Sequence, residues 1–158
     1  MKQQSLSTFQ CEVISKSFNF VGMNVTAPFP SKFPDAAINL HQQFEKRMHE
    51  ISKPINRNVL CSPHMCNEII ATYFACLEVV EASDVPADMV HFELPETRYA
   101  KVSCSNLTID EGYDTIFKWM EEKEMKQKYF FYSMPVELYY LDDNSEEFMV
   151  EILIPIVD

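Results

Sequence analysis

Glu137 is the single carboxylate in the run Tyr129-Phe-Phe-Tyr-Ser-Met-Pro-Val-Glu-Leu-Tyr-Tyr-Leu141, whose twelve other residues are uncharged and include six aromatics. A carboxylate among apolar side chains is costly unless it is hydrogen-bonded, hydrated or matched by a cation. Each solution implies a different chemistry. Satisfied by the protein alone, Glu137 is structural. Facing water, it is an ordinary strand residue. Beside aromatic faces in a closed site, it is a counter-charge for a delocalised cation. With a raised pKa it is a general acid or base.

Other side chains that could do chemistry form weaker patterns. Cys61-Ser-Pro-His64-Met-Cys66 has the spacing of metal ligands, but zinc takes about four and no second paired cluster follows. Cys11, Cys76 and Cys104 bring the cysteines to an odd, scattered five, which is no disulfide framework, so all are read as free thiols. His41 and His49 are eight residues apart on one predicted helix, too far to share a metal, and with His64 and His91 they form no site. No nucleophile-elbow sequence accompanies the serines. Only Gly22 and Gly112 occur, which excludes glycine-rich phosphate loops and dinucleotide fingerprints. No cofactor and no metal are expected.

The elements that must position Glu137 read as two similar halves, about 11–80 and 89–157, each running strand, helix, strand, strand. In the first, residues 11–26 are strand-like and end at Pro28, Pro30 and Pro34. A helix over 35–52 carries Ala37, Leu40, Phe44, Met48 and Ile51 as one apolar stripe and stops at Pro54. Strands follow at 58–65 and 69–80. In the second, residues 89–94 and 98–103 read as strand interrupted at Pro95. Thr108-Ile-Asp-Glu111 reads as a capping box opening a helix to about Lys126, with Ile109, Tyr113, Ile116, Phe117 and Met120 on one face. Strands at 129–141 and 147–157 close the chain around the turn Asp142-Asp-Asn-Ser145. Short strand-to-strand steps favour antiparallel pairing. The expected class is α+β: one domain over 1–158, with an antiparallel sheet, two main helices and a cleft between the halves.

Strict alternation over 129–141 puts Phe130, Tyr132, Met134, Val136, Leu138 and Tyr140 on the more apolar face. Glu137 then faces away from the core, unless a bulge at Pro135 turns it. Glu151 is the runner-up carboxylate and Glu78 its counterpart in the first half; both are read as solvent-facing.

The formal charge of −11, from 24 acidic and 13 basic residues, repels phosphate backbones, so no direct nucleic-acid binding is expected. No apolar run reaches the ~18 residues of a membrane span and no secretion signal is evident, so no membrane is expected and the cytoplasm is the expected location.

Four segments of the second half, in order, are Glu93-Leu-Pro95-Glu-Thr-Arg-Tyr99-Ala-Lys-Val102, Tyr113-Asp-Thr-Ile-Phe-Lys-Trp119, Val136-Glu137-Leu-Tyr139 and Val150-Glu151-Ile-Leu-Ile-Pro155-Ile156. Together they resemble the GyrI-like small-molecule-binding family, which includes the effector-binding domains of AraC-type and BmrR-type transcription regulators. The resemblance covers about 89–157; the first half matches through the duplicated plan. One departure is the turn after Pro95, which lacks the family's usual glycine. Another is that only about ten residues precede the first strand, so the resemblance implies a stand-alone module without a helix-turn-helix.

The resemblance implies a ligand cleft between the halves, with Glu137 inside it among aromatics and able to meet lipophilic, cationic ligands. Tyr139, Trp119 and Tyr99 are the matching aromatic positions; each also reads as a core residue. The implied function is small-molecule binding. The alternatives are a hydrolase of reactive small molecules using Glu137, or an acidic protein-interaction module whose partner is a regulator or gyrase-like protein.

Overall fold

The computed structural model describes residues 9–158. Its elements, in chain order, are β1 (Cys11–Pro28), α1 (Asp35–Glu45), a 3-10 turn (Met48–Glu50), β2 (Val59–Cys66), β3 (Ile70–Glu78), β4 (Val90–Ser105), α2 (Ile109–Glu122), β5 (Val136–Tyr140) and β6 (Met149–Pro155). The class is α+β, and the strand, helix, strand, strand order appears twice.

Every strand pair is antiparallel, and the strands close into a barrel in the order β1-β3-β2-β5-β6-β4. The first half supplies β1-β3-β2 and the second β5-β6-β4. They join at two seams, β2 with β5 and β1 with β4. At the first seam Ser62 stands opposite Glu137 and Leu60 opposite Tyr139.

Alternation along these strands separates three apolar clusters. Phe18, Phe20, Cys61, Cys76, Leu94, Tyr99, Val136, Leu138 and Leu153 form one. All six strands contribute to it, so it fills the barrel interior. On the outer face, Leu40 and Phe44 of α1 pack on Leu60, Ala75 and Leu77. Ile116 and Met120 of α2 pack on Ala100, Val102, Ile152 and Ile154. Both helical stripes therefore meet the sheet as the 3.6-residue period requires.

Gly22 and Gly112 serve close approach. A Cβ at Gly22 would lie 2.1 Å from the Ala75 carbonyl oxygen, across the β1–β3 pair. A Cβ at Gly112 would lie 2.7 Å from Cys104 Sγ, which is where α2 rests on β4.

Several expectations are corrected. The first helix ends at Glu45 rather than near 52, and a 3-10 turn carries the rest of its stripe. β4 runs unbroken through Pro95. Its register with β1 slips there: Lys16 pairs with Thr97, but Phe18 with Leu94. Pro95, which has no N–H to give, sits in that bulge. The α2 capping box does not form; Thr108 Oγ instead accepts from the Ser105 amide at 2.9 Å. α2 ends at Glu122 rather than near Lys126.

The largest correction concerns the aromatic run. Only Val136–Tyr140 is strand. Tyr129 to Tyr132 form an irregular, exposed segment, with positive φ at Phe130 (60°) and Tyr132 (57°). High strand propensity there lacks a partner strand, and propensity without pairing does not make a strand.

Candidate functional site

Glu137 is on the outer, helix-facing side of the sheet and is 7% exposed. No bulge at Pro135 is needed to turn it inward. The odd face of β5 is buried because both helices lean over it, so both faces of this strand are core. Alternation placed the residue correctly, but the face it occupies is closed rather than open to water.

The carboxylate is held by three tyrosine hydroxyls. Tyr73 of β3 and Tyr139 of β5 donate to Oε1, at 2.7 Å and 2.6 Å. Tyr113 of α2 donates to Oε2. A carboxylate offers about four acceptor sites, so most are filled. No lysine or arginine pairs with Glu137 among the described residues. The hydroxyls thus offset the cost of burial without cancelling the charge.

The rings around Glu137 are themselves packed. The Tyr73 ring stacks on His41 of α1 at 5.6 Å and on His64 of β2 at 5.8 Å. His41 meets Tyr139 edge-on at 4.8 Å. Its Nε2 lies 3.0 Å from the buried hydroxyl of Ser62. His41 and His64 thus both pack against Tyr73 in one aromatic cluster.

Titration directions follow from this geometry. Burial pushes the Glu137 carboxyl up, but attraction to His64 and the three hydroxyl bonds outweigh it, so it lies below its ordinary 4.5. Burial lowers His41 below 6.5, and the charge of Glu137 offsets this only partly. Tyr73, Tyr113 and Tyr139 are all held well above 10, first by burial and then by the adjacent carboxylate. The carboxylate stays ionised and the phenols stay protonated, which is the combination that keeps all three hydrogen bonds.

Glu137 and Tyr139 line a cavity of about 660 Å³ between the two halves. Phe33, Ala37, Ile38 and His41 wall it from the α1 side. Ile109, Asp110 and Tyr113 wall it from α2, and His64, Met65, Cys66 and Tyr73 from the sheet. The lining is mostly apolar with a carboxylate focus, the pattern of a small-molecule site. Among the described residues no cluster of histidine, cysteine or acidic side chains could hold a metal.

Trp119 and Tyr99 do not line this cavity. Trp119 lies six positions along α2 from Tyr113, about 120° round the helix, and packs on the outer face beside Phe9 and Cys11. Tyr99 is fully buried inside the barrel, edge-on to Phe18 at 6.0 Å. Its hydroxyl has no partner, and burial pushes its pKa up to about 12. Glu151, expected to face solvent, is instead 8% exposed; it accepts from Tyr140 at 2.6 Å and pairs with Lys101 at 3.2 Å. Glu78 is half-buried and pairs with Lys16 at 3.0 Å.

Sequence reasoning missed Tyr73, Tyr113 and His41 as members of the site. Tyr113 was visible as a polar-tipped residue on an otherwise apolar helix stripe. Tyr73 gave no local signal.

A family model described as "Cass2: Integron-associated effector binding protein" matches residues 13–156. No curated protein matches the sequence. Among solved structures, SAV2435 bound to tetraphenylphosphonium superposes with a TM-score of 0.72 at 13% identity, over 94% of this chain and 93% of that one. The C-terminal domain of EcmrR gives 0.69 at 13% identity, over 96% and 99%. The integron cassette protein VCH_CASS2 from the mobile metagenome of Vibrio cholerae gives 0.64 at 13% identity, over 94% and 97%. At that identity the likeness is one of fold.

Proposed function

The chain belongs to the integron-associated effector-binding protein family, and from that premise we propose that it captures a lipophilic organic cation between α1 and α2. Glu137 is the counter-charge, and Tyr73, Tyr139, Tyr113 and His41 are the aromatic walls. One observation carries this reading: a buried carboxylate on the wall of a 660 Å³ apolar cavity, hydrogen-bonded by three hydroxyls and paired with no lysine or arginine. Its potential is felt in a low-dielectric space, where a delocalised cation loses little hydration on entering. SAV2435, of the same fold, is bound to such a cation.

The direction of the Glu137 titration speaks against one catalytic role, that of a general acid at neutral pH. A general acid at neutral pH needs a raised pKa, and this carboxyl is held down. Tyr139 lines the cavity, which supports the ligand-facing role proposed for it; Trp119 and Tyr99 lie outside it, and the proposal assigns them no contact.

Two ions of nearly equal shape and opposite charge test the proposal. Tetraphenylphosphonium is expected to raise the melting temperature in a concentration-dependent way, as a ligand of the native state does. Tetraphenylborate is expected to leave it unchanged. Equal stabilisation by both ions would mean that shape alone governs binding, and the counter-charge role would be wrong.

A further inference from the structure

His64, Met65, Cys66 and Tyr113, which wall the main cavity, also wall a second one of about 260 Å³. Its remaining surface is apolar and aromatic, from Phe117, Phe130, Pro135 and Ile154 among others. The Tyr113 and Phe117 rings stack at 6.3 Å, so this side of α2 presents a flat aromatic wall. No carboxylate lines the second cavity, and Lys128 is its one strongly basic side chain. The electrostatics that draw a cation into the first cavity are absent from the second.

Two features of the second cavity are unexplained by the fold. Ser133 lines it, is 6% exposed, and its Oγ has no hydrogen-bond partner. Such a hydroxyl is uncommon in native structures. Beside it, Phe130 holds a positive φ of 60° and leaves its ring 61% exposed. Strained backbone of this kind clusters at functional sites, ligand clamps among them.

We infer that the second cavity is a separate binding compartment for a neutral aromatic group carrying one oxygen that hydrogen-bonds to Ser133. Aromatic character is required by the Tyr113–Phe117 wall and by Phe130, whose ring the ligand would cover. The lining disfavours a cation, which would meet Lys128 without a counter-charge, and its otherwise apolar surface suits an uncharged ring system. The volume suits a ligand of one or two fused rings, below the ~300–1,000 Å³ of typical drug-sized pockets. The test varies Ser133 and Phe130, which line only the second cavity; Tyr113, which bonds Glu137, walls both.

The probe is 2-naphthol, followed by its own fluorescence. Ser133→Ala is expected to weaken its binding about fivefold, the worth of one hydrogen bond, while raising the melting temperature of the free protein. Phe130→Ala, at an exposed position, is expected to weaken binding by about threefold to tenfold. Saturating tetraphenylphosphonium is expected to leave 2-naphthol binding in place. No binding to the wild type, unchanged affinity in both variants, or displacement by the phosphonium would each overturn the inference. If the phosphonium itself fails to bind, the cation reading falls alone, and the two variants still decide this one.

Discussion

Tyr73 and Glu137 are separated by 64 residues and belong to different halves of the chain, yet the hydroxyl of the first donates to Oε1 of the second at 2.7 Å. The charge of the cavity is thus held jointly by the two halves. Tyr113 from α2 and Tyr139 from β5 complete the cage. Whatever moves α2 or the β2–β5 seam moves the donors that keep this carboxylate ionised.

Removing one donor should therefore cost stability more than it costs cation binding. Tyr73→Phe and Tyr139→Phe are each expected to lower unfolding free energy by about 1–2 kcal/mol, because a bond to a charged acceptor is lost. Chemical denaturation measures this directly. Tetraphenylphosphonium affinity should change little, because the charge remains.

The protein should be acid-labile for two coupled reasons. Glu137 has a folded pKa below 4.5, so its contribution is present above that value and lost as pH falls through the lower folded one. His41 is held below 6.5 in the fold, so the unfolded chain binds its proton first, and stability declines as pH falls below 6.5. The three tyrosines act at the other end: their folded values exceed 10, so stability is complete below pH 10 and lost as pH rises past it. Melting temperature against pH should show a plateau with a shoulder beginning near 6.5 on the acid side. A flat profile between pH 7 and 5 would contradict the His41 environment.

Gly112→Ala should couple the fold to the site. The new Cβ would meet Cys104 Sγ at 2.7 Å and Ile152 Cδ1 at 3.1 Å, so these side chains must give way or α2 must lift from the sheet. Overpacking of this kind costs about 1–3 kcal/mol. Tyr113 is the next residue and walls the cavity, so the same shift should displace its ring and reduce phosphonium binding. Both effects can be read from one ligand-dependent melting series.

Thiol reactivity should report cavity occupancy. Cys66 is exposed and lines the cavity, whereas Cys61 and Cys76 are buried opposite one another, with burial pushing both thiols up. Iodoacetamide should label Cys66 ahead of Cys61 and Cys76, and bound phosphonium should slow that labelling. Mass spectrometry of timed samples checks both.

The sequence carried the duplicated plan because each strand and helix keeps its own period, as the Leu40–Phe44 and Ile116–Met120 stripes illustrate. Glu137 stood out as the lone carboxylate of an apolar run, whereas its place in a cleft, with Tyr139 beside it, was implied only by the family resemblance. The sequence did not carry the extent of the strand: Tyr129 to Tyr132 have strand propensity, but no partner strand reaches them. Nor did it carry Tyr73, His41 and Ser62, which meet Glu137 only through the β2–β5 and β2–β3 registers. Trp119 lies away from the cavity for a related reason. Its position on α2 is fixed relative to Tyr113, but which helical face looks into the cavity is decided by how α2 lies on β4.

Calorimetric titration of tetraphenylphosphonium into the wild type and into Glu137→Gln tests the central claim most directly. Loss of one unit charge near a bound cation is expected to weaken binding about 10- to 100-fold, roughly 1–3 kcal/mol at the effective dielectric of a partly buried site. Near-UV circular dichroism of the variant should show that its tyrosines remain packed. Equal affinities in the two proteins, with that packing intact, would contradict the assignment of Glu137 as the counter-charge.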